Sequence, residues 1–163
     1  MACYSVHPLV SQLPSHFSGP VTGIFEASVA ASLLLLAPAQ KFGIVTTGAV
    51  WEPLLTAGVA DYLGAPGGGE RFAGVATTGL SAVELHDTAP EEVKRRMVEA
   101  TRGLVRKGNV GAVCLGCAGM VGMEEWVREG CVSELGEEEG ARVRIVDGVK
   151  AGVALLESLV KTN

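Results

Sequence analysis

The chain has few aromatic residues and no concentration of positive charge. Aromatic residues make up 5% of its 163 residues, whereas 48% are hydrophobic and 22 are glycine. A glycine-rich, aliphatic chain of this size favours an α/β protein, in which buried strands are joined to helices by tight turns. The net charge is −5 and the lysines and arginines are dispersed. We therefore predict no nucleic-acid partner and no binding to an anionic membrane surface.

Long apolar runs and targeting features are also missing. The most apolar stretch, residues 28–39, is too short to span a bilayer and ends close to a proline. Residues 1–17 lack a basic segment followed by an apolar one, which a secretory signal requires. We predict a cytoplasmic protein without a membrane partner, in which the four cysteines are thiols rather than disulfides.

One Cys-x-x-Cys pair lies in the stretch VCLGCAGM, residues 113–120. Zinc needs about four ligands, but no second pair is present and the three histidines lack metal spacing, so we predict no metal site. A redox pair is disfavoured, because residues three apart in a strand point to opposite faces. Cys114 lies inside the apolar run and is predicted to be a small buried residue, as is Cys131.

Apolar, β-branched segments alternate with helical ones along most of the chain. The predicted strands are residues 42–47, 72–78, 110–116 and 143–148, and the predicted helices are residues 49–64, 89–108, 121–135 and about 149–161. Thr88 is a possible N-cap for the second of these helices. The glycine-rich segment 64–70 is predicted to be a mobile loop without the Lys-Ser/Thr ending of a phosphate-binding loop. The pattern predicts a parallel sheet covered by helices.

Two stretches of the chain match each other without gaps. IFEASVAASLLL (24–35) aligns with IVDGVKAGVALL (145–156), so that Glu26 meets Asp147, and a cysteine followed by a helix lies upstream of each stretch. In both stretches we expect a strand that ends at the acid and passes into a helix. The match predicts a duplicated, two-lobed architecture.

The duplication divides the chain into three predicted parts. Residues 1–40 would be a remnant of a first lobe, residues 41–148 a complete second lobe, and residues 149–163 a C-terminal helix that could return to the first lobe. An incomplete first lobe should expose apolar surface at residues 33–36 and an unpaired sheet edge. We therefore predict a homo-oligomer.

Cys117 has the setting of a reactive thiol. It follows Gly116 at the carboxyl end of a predicted strand, the edge at which open α/β sheets bind ligands. The start of the next helix favours a thiolate there. Cys3 has the same setting by the internal match. Two thiols that face each other across two lobes could remove a proton from one face of a carbon and return one to the other face.

Four motifs carry a resemblance to a known family. They are ACYSVHPLV (2–10), GIFEAS (23–28), FGIVTT (42–47) and LGCAGM (115–120). With these motifs the chain resembles the Asp/Glu/hydantoin racemase family, in particular the fungal members of its hydantoin and allantoin racemase branch. The resemblance implies two pseudo-symmetric α/β lobes, the first of them incomplete in this chain, with the active site between them. It also implies racemisation without a cofactor by two cysteines, which map onto Cys3 and Cys117.

The resemblance also suggests which groups would hold a small-molecule substrate. These are the backbone amides near Ser5 and Ala118–Gly119 and the hydroxyls of Thr46 and Thr47. His7 has two interpretations: it contacts the substrate near Cys3, or it simply starts the helix at Pro8. Glu26 and Asp147 could orient ligands, but an acid at the start of a helix is usually a cap.

The implied reaction is racemisation of a 5-substituted hydantoin, with allantoin as the first substrate to test. Amino-acid racemisation or isomerisation of a small diacid is an alternative, although no arginine for a carboxylate lies near either cysteine motif. Family members normally open with a strand that ends in an Asn-Pro-Asn-type loop, whereas this chain begins after that point. A truncated remnant that binds a ligand or partner without turnover is therefore a third interpretation.

Overall fold

The computed structural model describes residues 1–162, and its centre is a four-stranded parallel sheet. The strands are β1 (Lys41–Thr46), β2 (Phe72–Thr77), β3 (Val110–Leu115) and β4 (Arg144–Asp147). Their order across the sheet is β2-β1-β3-β4, so β1 and β3 are central. All residues of β3 are buried, as expected for a strand covered on both faces. The four predicted strands and the parallel sheet are confirmed.

Helices lie on both faces of the sheet. They are α1 (Pro8–Gln12), α2 (Ile24–Leu35), α3 (Trp51–Leu63), α4 (Glu84–Asp87), α5 (Pro90–Val105), α6 (Glu124–Leu135), α7 (Glu137–Arg142) and α8 (Gly148–Thr162). Short 3-10 turns occupy Leu13–Ser15, Pro66–Arg71 and Ala118–Met120. The four predicted helices correspond to α3, α5, α6 and α8, whereas the short helices α4 and α7 were not predicted. Asn163, the last residue of the predicted C-terminal part, lies outside the described residues.

Two hydrophobic clusters hold the layers together. On one face of the sheet, α2, α3 and α8 pack through buried side chains such as Phe25, Ile44 and Leu55. On the other face, α5 and α6 pack through buried side chains such as Met97 and Val127. Each such side chain contributes about 1.5–3 kcal/mol when it is fully buried. Each long helix therefore turns its apolar face towards the sheet.

Residues 1–40 differ from the prediction in secondary structure. Residues 24–26 form no strand: Ile24 is the first residue of α2, and Glu26 lies in its first turn. Their backbone is satisfied by helical bonding, with the Ala27 N–H donating to the Gly23 carbonyl at 3.0 Å. The alignment with residues 145–156 therefore matches the start of one helix to the end of a strand. Cys3 does not end a strand either, since residues 1–7 contain no regular element.

One local prediction needs correction, and the local structure of a second segment can be described. Thr88 does not cap α5, because it ends α4 with its N–H bonded to the Glu84 carbonyl, and Ala89 precedes α5 without a side-chain cap. The segment predicted to be a mobile loop, residues 64–70, overlaps a short 3-10 turn over Pro66–Arg71, in which Gly67, Gly68 and Gly69 have positive φ. Its mobility stays a prediction. Gly64 has φ 61° and ends α3 in the left-handed conformation, and Gly68 is buried against Phe72.

Helix α8 packs on α2 through small residues. Gly148 and Gly152 of α8 face Ile24 and Ala27 of α2, which brings the two helix backbones close together. The predicted exposure of apolar side chains in residues 33–36 is confirmed for Leu34 and Leu35, which are 86% and 48% exposed. Within residues 1–162, the helices are too short or too polar to cross a membrane.

Candidate functional site

The carboxyl ends of the four parallel strands form one edge of the sheet, called the carboxyl edge below. The chain after β3 is tied to β1 at this edge. The Thr46 hydroxyl donates to the Gly116 carbonyl at 2.7 Å, and the Gly116 N–H donates to the Val45 carbonyl at 2.7 Å. An added Cβ on Gly116 would lie 2.6 Å from a methyl of Ile44 and 2.8 Å from the Val45 oxygen. This close packing leaves room only for glycine immediately before Cys117.

Cys117 opens the 3-10 turn that follows β3. Its backbone is extended, with φ −155° and ψ 138°, and its thiol is partly buried. The Met120 N–H bonds to the Cys117 carbonyl at 3.0 Å, and the Met120 side chain is fully buried. The N–H groups of Ala118 and Gly119 have no acceptor within residues 1–162. Two free donors therefore lie beside the sulfur, where they can bind a developing negative charge.

The two threonines at the end of β1 differ in how their hydroxyls are used. Thr46 is 1% exposed, and its hydroxyl bonds to the Gly116 carbonyl, so it supports the loop that carries Cys117. Thr47 is 2% exposed, and within the described residues its hydroxyl has no bonding partner. Of the two hydroxyls suggested for substrate binding, the structure leaves the one on Thr47 available.

Cys3 lies at the same edge of the sheet on an irregular segment. The neighbouring Tyr4 is buried, with its ring edge-on to Phe25 at a centroid distance of 5.7 Å and beside Gly148, the residue after β4. Cys3 itself is exposed. The Ser5 hydroxyl donates to the Cys3 sulfur at 3.3 Å, but the Ser5 N–H is already bonded to the Cys3 carbonyl at 3.0 Å. Ser5 can therefore orient the thiol, whereas its amide is occupied.

Three further contacts attach this segment to the body of the protein. The amino group of Met1 donates to the Thr22 carbonyl at 2.9 Å, and the Ile24 N–H donates to the Met1 carbonyl at 3.0 Å. Val6 fills the space beside Gly58 of α3. The path of the chain, rather than a strand, brings Cys3 to the carboxyl edge.

His7 is the N-cap of α1. Its Nδ1 accepts a hydrogen bond from the Leu9 N–H at 3.2 Å, and Pro8 is the first helical residue. This geometry agrees with the interpretation of His7 as a helix start and leaves only Nε2 for any contact with a substrate.

The acids of the two matched stretches also lie at helix starts. Asp147 caps α8, because its Oδ1 accepts from the N–H groups of Val149 and Lys150 at 2.8 and 3.2 Å. Its Oδ2 lies 3.6 Å from the ammonium group of Lys150. Glu26 lies in the first turn of α2, where a negative charge is favourable. Asp147 thus has a structural role as a cap, whereas Oε2 of Glu26 is buried and has no hydrogen-bond partner within residues 1–162.

Cys114 and Cys131 are fully buried, as predicted. Burial raises the pKa of the Cys114 thiol to about 11, and the Ser32 hydroxyl at 3.0 Å partly opposes this rise. Burial likewise raises the pKa of Cys131 to about 11. All four cysteines are free thiols. Only Cys3 and Cys117 are reachable from solvent, and no cluster of metal-ligating side chains is found within residues 1–162.

His86 lies at this site, although no sequence motif assigned it a role. It belongs to α4, which follows β2, and it is exposed. An ideal Cβ on Gly119 would lie 3.2 Å from Nε2 of His86 and 3.6 Å from the sulfur of Cys117. One signal could have found it: residues 81–87 follow a predicted strand, so they belong to the same edge of a parallel sheet as Cys117.

Comparison with known proteins shows the family to which the chain is similar. The model of the family described as Asp/Glu/Hydantoin racemase matches residues 1–156. An uncharacterized protein of Schizosaccharomyces pombe is 40% identical over 168 residues, a match that covers all of this chain and 63% of that protein. A hydantoin racemase from a Pseudomonas species is 29% identical over 141 residues, covering 86% of this chain and 49% of that enzyme.

The solved structures give the same result for the fold. The crystal structure of allantoin racemase from Pseudomonas fluorescens superimposes with a TM-score of 0.69 at 29% identity, covering 88% of this chain and 53% of that one. The chain thus spans about half to two thirds of the length of the proteins that it matches.

Proposed function

Because the chain belongs to the Asp/Glu/hydantoin racemase family, we propose that it racemises a 5-substituted hydantoin, with allantoin as the first substrate to test. Three features support this proposal: the free thiol of Cys117 at the carboxyl edge, the two unoccupied amides beside it, and the delivery of Cys3 to the same edge. The first of these carries it, because a thiol next to free N–H donors is what proton abstraction beside a carbonyl needs.

The reaction removes one proton from a carbon and adds another proton to the opposite face of the same carbon. The Cys117 thiolate takes the hydrogen from the stereocentre, and the electron pair of the broken C–H bond delocalises onto the adjacent ring carbonyl. The Cys3 thiol then donates its proton to the opposite face of the carbon. The product is the mirror image, and the two sulfur atoms have exchanged protonation states. For the other enantiomer the roles reverse, and the ring carbonyl supplies the electron sink without a cofactor.

The oxyanion that forms during this reaction needs hydrogen-bond donors. The N–H groups of Ala118 and Gly119 are fixed by the 3-10 turn and have no acceptor in the described residues, so they require no rearrangement to bind it. The Thr47 hydroxyl adds a third polar group at this edge. On the other side, the Ser5 hydroxyl orients the Cys3 sulfur, and Nε2 of His7 remains available to the ring.

Ligand binding without turnover is a second candidate, favoured by the exposed apolar side chains of Leu34 and Leu35. Such exposure on a chain that spans 63% of a relative's length is expected if part of the fold is supplied from elsewhere. A second copy of the chain could instead cover these side chains, and such a homo-oligomer would favour the racemase over ligand binding without turnover. The mass of the protein under native conditions tests this directly.

The deciding experiment follows the optical rotation of one allantoin enantiomer in the presence of the protein. We expect loss of rotation faster than the spontaneous rate, and a decrease in rate of about a hundredfold to ten-thousandfold in either Cys3→Ser or Cys117→Ser. The control variant is Cys131→Ala, which alters a fully buried thiol. Full activity in either serine variant would contradict the two-thiol mechanism. Activity on aspartate but not on allantoin would favour an amino-acid racemase, and folded protein without activity would favour ligand binding.

A further inference from the structure

The side chains of His86 and Cys117 face one small space at the carboxyl edge. The position that a Cβ of Gly119 would occupy lies 3.2 Å from Nε2 of His86, 3.6 Å from the Cys117 sulfur and 3.9 Å from a methyl group of Leu85. Since residue 119 is glycine, this space contains no side-chain atom of its own. The imidazole and the thiol therefore approach each other from two different loops, the one after β2 and the one after β3.

Contacts of α4 place His86 beside Cys117, and the imidazole ring itself forms no hydrogen bond within residues 1–162. Leu85, its neighbour in α4, is 4% exposed and packs into the hydrophobic cluster under α5. The backbone N–H of His86 bonds to the Val83 carbonyl at 3.0 Å. Within residues 1–162 neither ring nitrogen of His86 takes part in a hydrogen bond, in contrast to His7, whose Nδ1 caps α1. The backbone of His86 is thus fixed within α4, while both ring nitrogens remain available.

We propose that His86 is a positioning residue that accepts the proton of the Cys117 thiol, an inference that rests on the proposed racemase function. The S–H bond breaks, the electron pair stays on sulfur, and the proton is bound by Nε2 of the neutral imidazole. The result is a thiolate–imidazolium pair, the arrangement by which an adjacent base activates a cysteine. Transfer takes place directly or through one water molecule in the space above Gly119.

This step also restores the enzyme between turnovers. After Cys117 has taken a proton from the substrate and Cys3 has given one up, the Cys117 sulfur must lose a proton, and the Cys3 thiolate, which is exposed, must take one from water, before the same enantiomer can react again. His86, which is exposed to solvent, can pass the proton on to water. Cys3 has the hydroxyl of Ser5 as its neighbour instead, and a hydroxyl is not a base at neutral pH. The two thiols would therefore be activated unequally.

The test measures how fast Cys117 is alkylated by iodoacetamide at neutral pH, in a Cys3→Ser background. In that background Cys117 is the one solvent-reachable thiol, because Cys114 and Cys131 are fully buried. Only the thiolate reacts, and an ordinary thiol is roughly a few per cent thiolate at neutral pH. We expect His86→Asn to slow alkylation about tenfold. The matched control is His16→Asn, a histidine that is equally exposed but lies on another part of the surface.

A change at Gly119 tests the shared space itself. A methyl group in Gly119→Ala would meet Nε2 at 3.2 Å and displace the ring. We expect Gly119→Ala to slow the alkylation of Cys117 when His86 is present. In the His86→Asn variant it should slow alkylation little further, because both changes remove the same proton transfer from Cys117 to His86. Equal slowing in both backgrounds would indicate obstruction of the sulfur and contradict the proposal, as would an unchanged rate in His86→Asn.

The alkylation test separates this proposal from the proposed racemase function. If allantoin is not racemised but His86→Asn still slows alkylation, the racemase proposal fails and the role of His86 stands. If allantoin is racemised and the alkylation rate of His86→Asn equals that of the His16→Asn control, the proposal that His86 accepts the Cys117 proton is wrong and the racemase proposal stands.

Discussion

The two proposed catalytic cysteines lie in regions that are constructed in different ways. Cys117 follows β3, a central strand that is completely buried and bonded on both sides. Cys3 lies in residues 1–7, which contain no regular element and are held by one buried ring and a few terminal hydrogen bonds. The backbone of the sheet therefore positions one thiol, whereas a few side chains position the other. The region around Cys3 should be easier to displace without unfolding the rest of the molecule.

Removal of the ring that anchors the first region should give the largest effect. In Tyr4→Ala we expect the free energy of unfolding to fall by about 3–5 kcal/mol, because a fully buried aromatic side chain is lost. Racemisation should be lost as well, while alkylation of Cys117 should stay unchanged. Urea denaturation measures the free energy of unfolding, and the alkylation assay measures the reactivity of Cys117.

The control for this change is Tyr4→Phe, which keeps the ring. The Tyr4 hydroxyl lies beside Ser28 and Cys114 but has no well-directed hydrogen bond within residues 1–162. Its loss should change the free energy of unfolding by no more than about 1 kcal/mol. If Tyr4→Ala slowed the alkylation of Cys117 as strongly as it reduced racemisation, the two regions would be one cooperative unit and the contrast between them would be wrong.

The buried thiols should make the sheet region sensitive to alkaline pH. Burial raises the pKa values of Cys114 and Cys131 to about 11 in the folded state. An unfolded cysteine loses its proton near pH 8.5, so the unfolded state binds fewer protons than the folded one between about pH 8.5 and pH 11. Stability is therefore full below about pH 8.5 and falls as pH rises, by on the order of 3 kcal/mol for each thiol.

Urea midpoints measured across this pH range test the effect. Cys131→Ala should remove about half of the alkaline decline, since one of the two thiols no longer titrates. Tyr4, whose pKa is also raised well above 10 by burial, adds to the decline at the upper end of the range. Midpoints that stayed level from neutral pH to pH 11 would show that the two sulfur atoms are not as buried as the structure indicates.

A smaller effect is expected from the glycine that precedes Cys117. In Gly116→Ala the added methyl would lie 2.8 Å from the backbone oxygen of Val45 and 2.6 Å from Ile44, so the backbone of the loop must shift. We expect a loss of about 1–3 kcal/mol in the free energy of unfolding. Gly103→Ala is the matched control, because nothing lies within 4 Å of its added Cβ and α5 should gain about 0.5–1 kcal/mol. Equal stability of the two variants would contradict the rigid placement of Cys117.

Much of the fold could be predicted from local sequence patterns. The apolar runs that became β1 and β3 and the periodic pattern of α5 depend on residues a few positions apart, and all three were confirmed. The strand expected at residues 24–26 was wrong for a reason that the structure makes clear. An acid just before or within the first turn favours the start of a helix, as at Asp147 and Glu26, but carries no information about what precedes that start.

The candidate site was predicted less completely than the fold. The sequence placed Cys117 just after the end of a strand, and the structure has β3 ending at Leu115, two residues before it. The 3-10 turn Ala118–Met120 that follows Cys117 was not predicted. The pattern TT at the end of β1 suggested two equivalent hydroxyls. In the structure one of them binds the Gly116 carbonyl, which is 70 positions away in the chain. No local pattern distinguishes Thr46 from Thr47, because the difference depends on which strand lies next to β1.

The sequence by itself determined the class of the fold and the places of the long strands and helices, because each follows from the chemistry of neighbouring residues. Cys3 and Cys117 as the reactive thiols stay a prediction, which rests on the family resemblance. The tertiary structure decided the rest. The parallel strands place the loops after β2 and β3 at the same edge, and the order β2-β1-β3-β4, with only β1 between these two strands, lets His86 face Cys117 across Gly119. The proximity of His86 and Cys117 depends on how the crossovers pack on the two faces of the sheet, which is a property of the whole buried core.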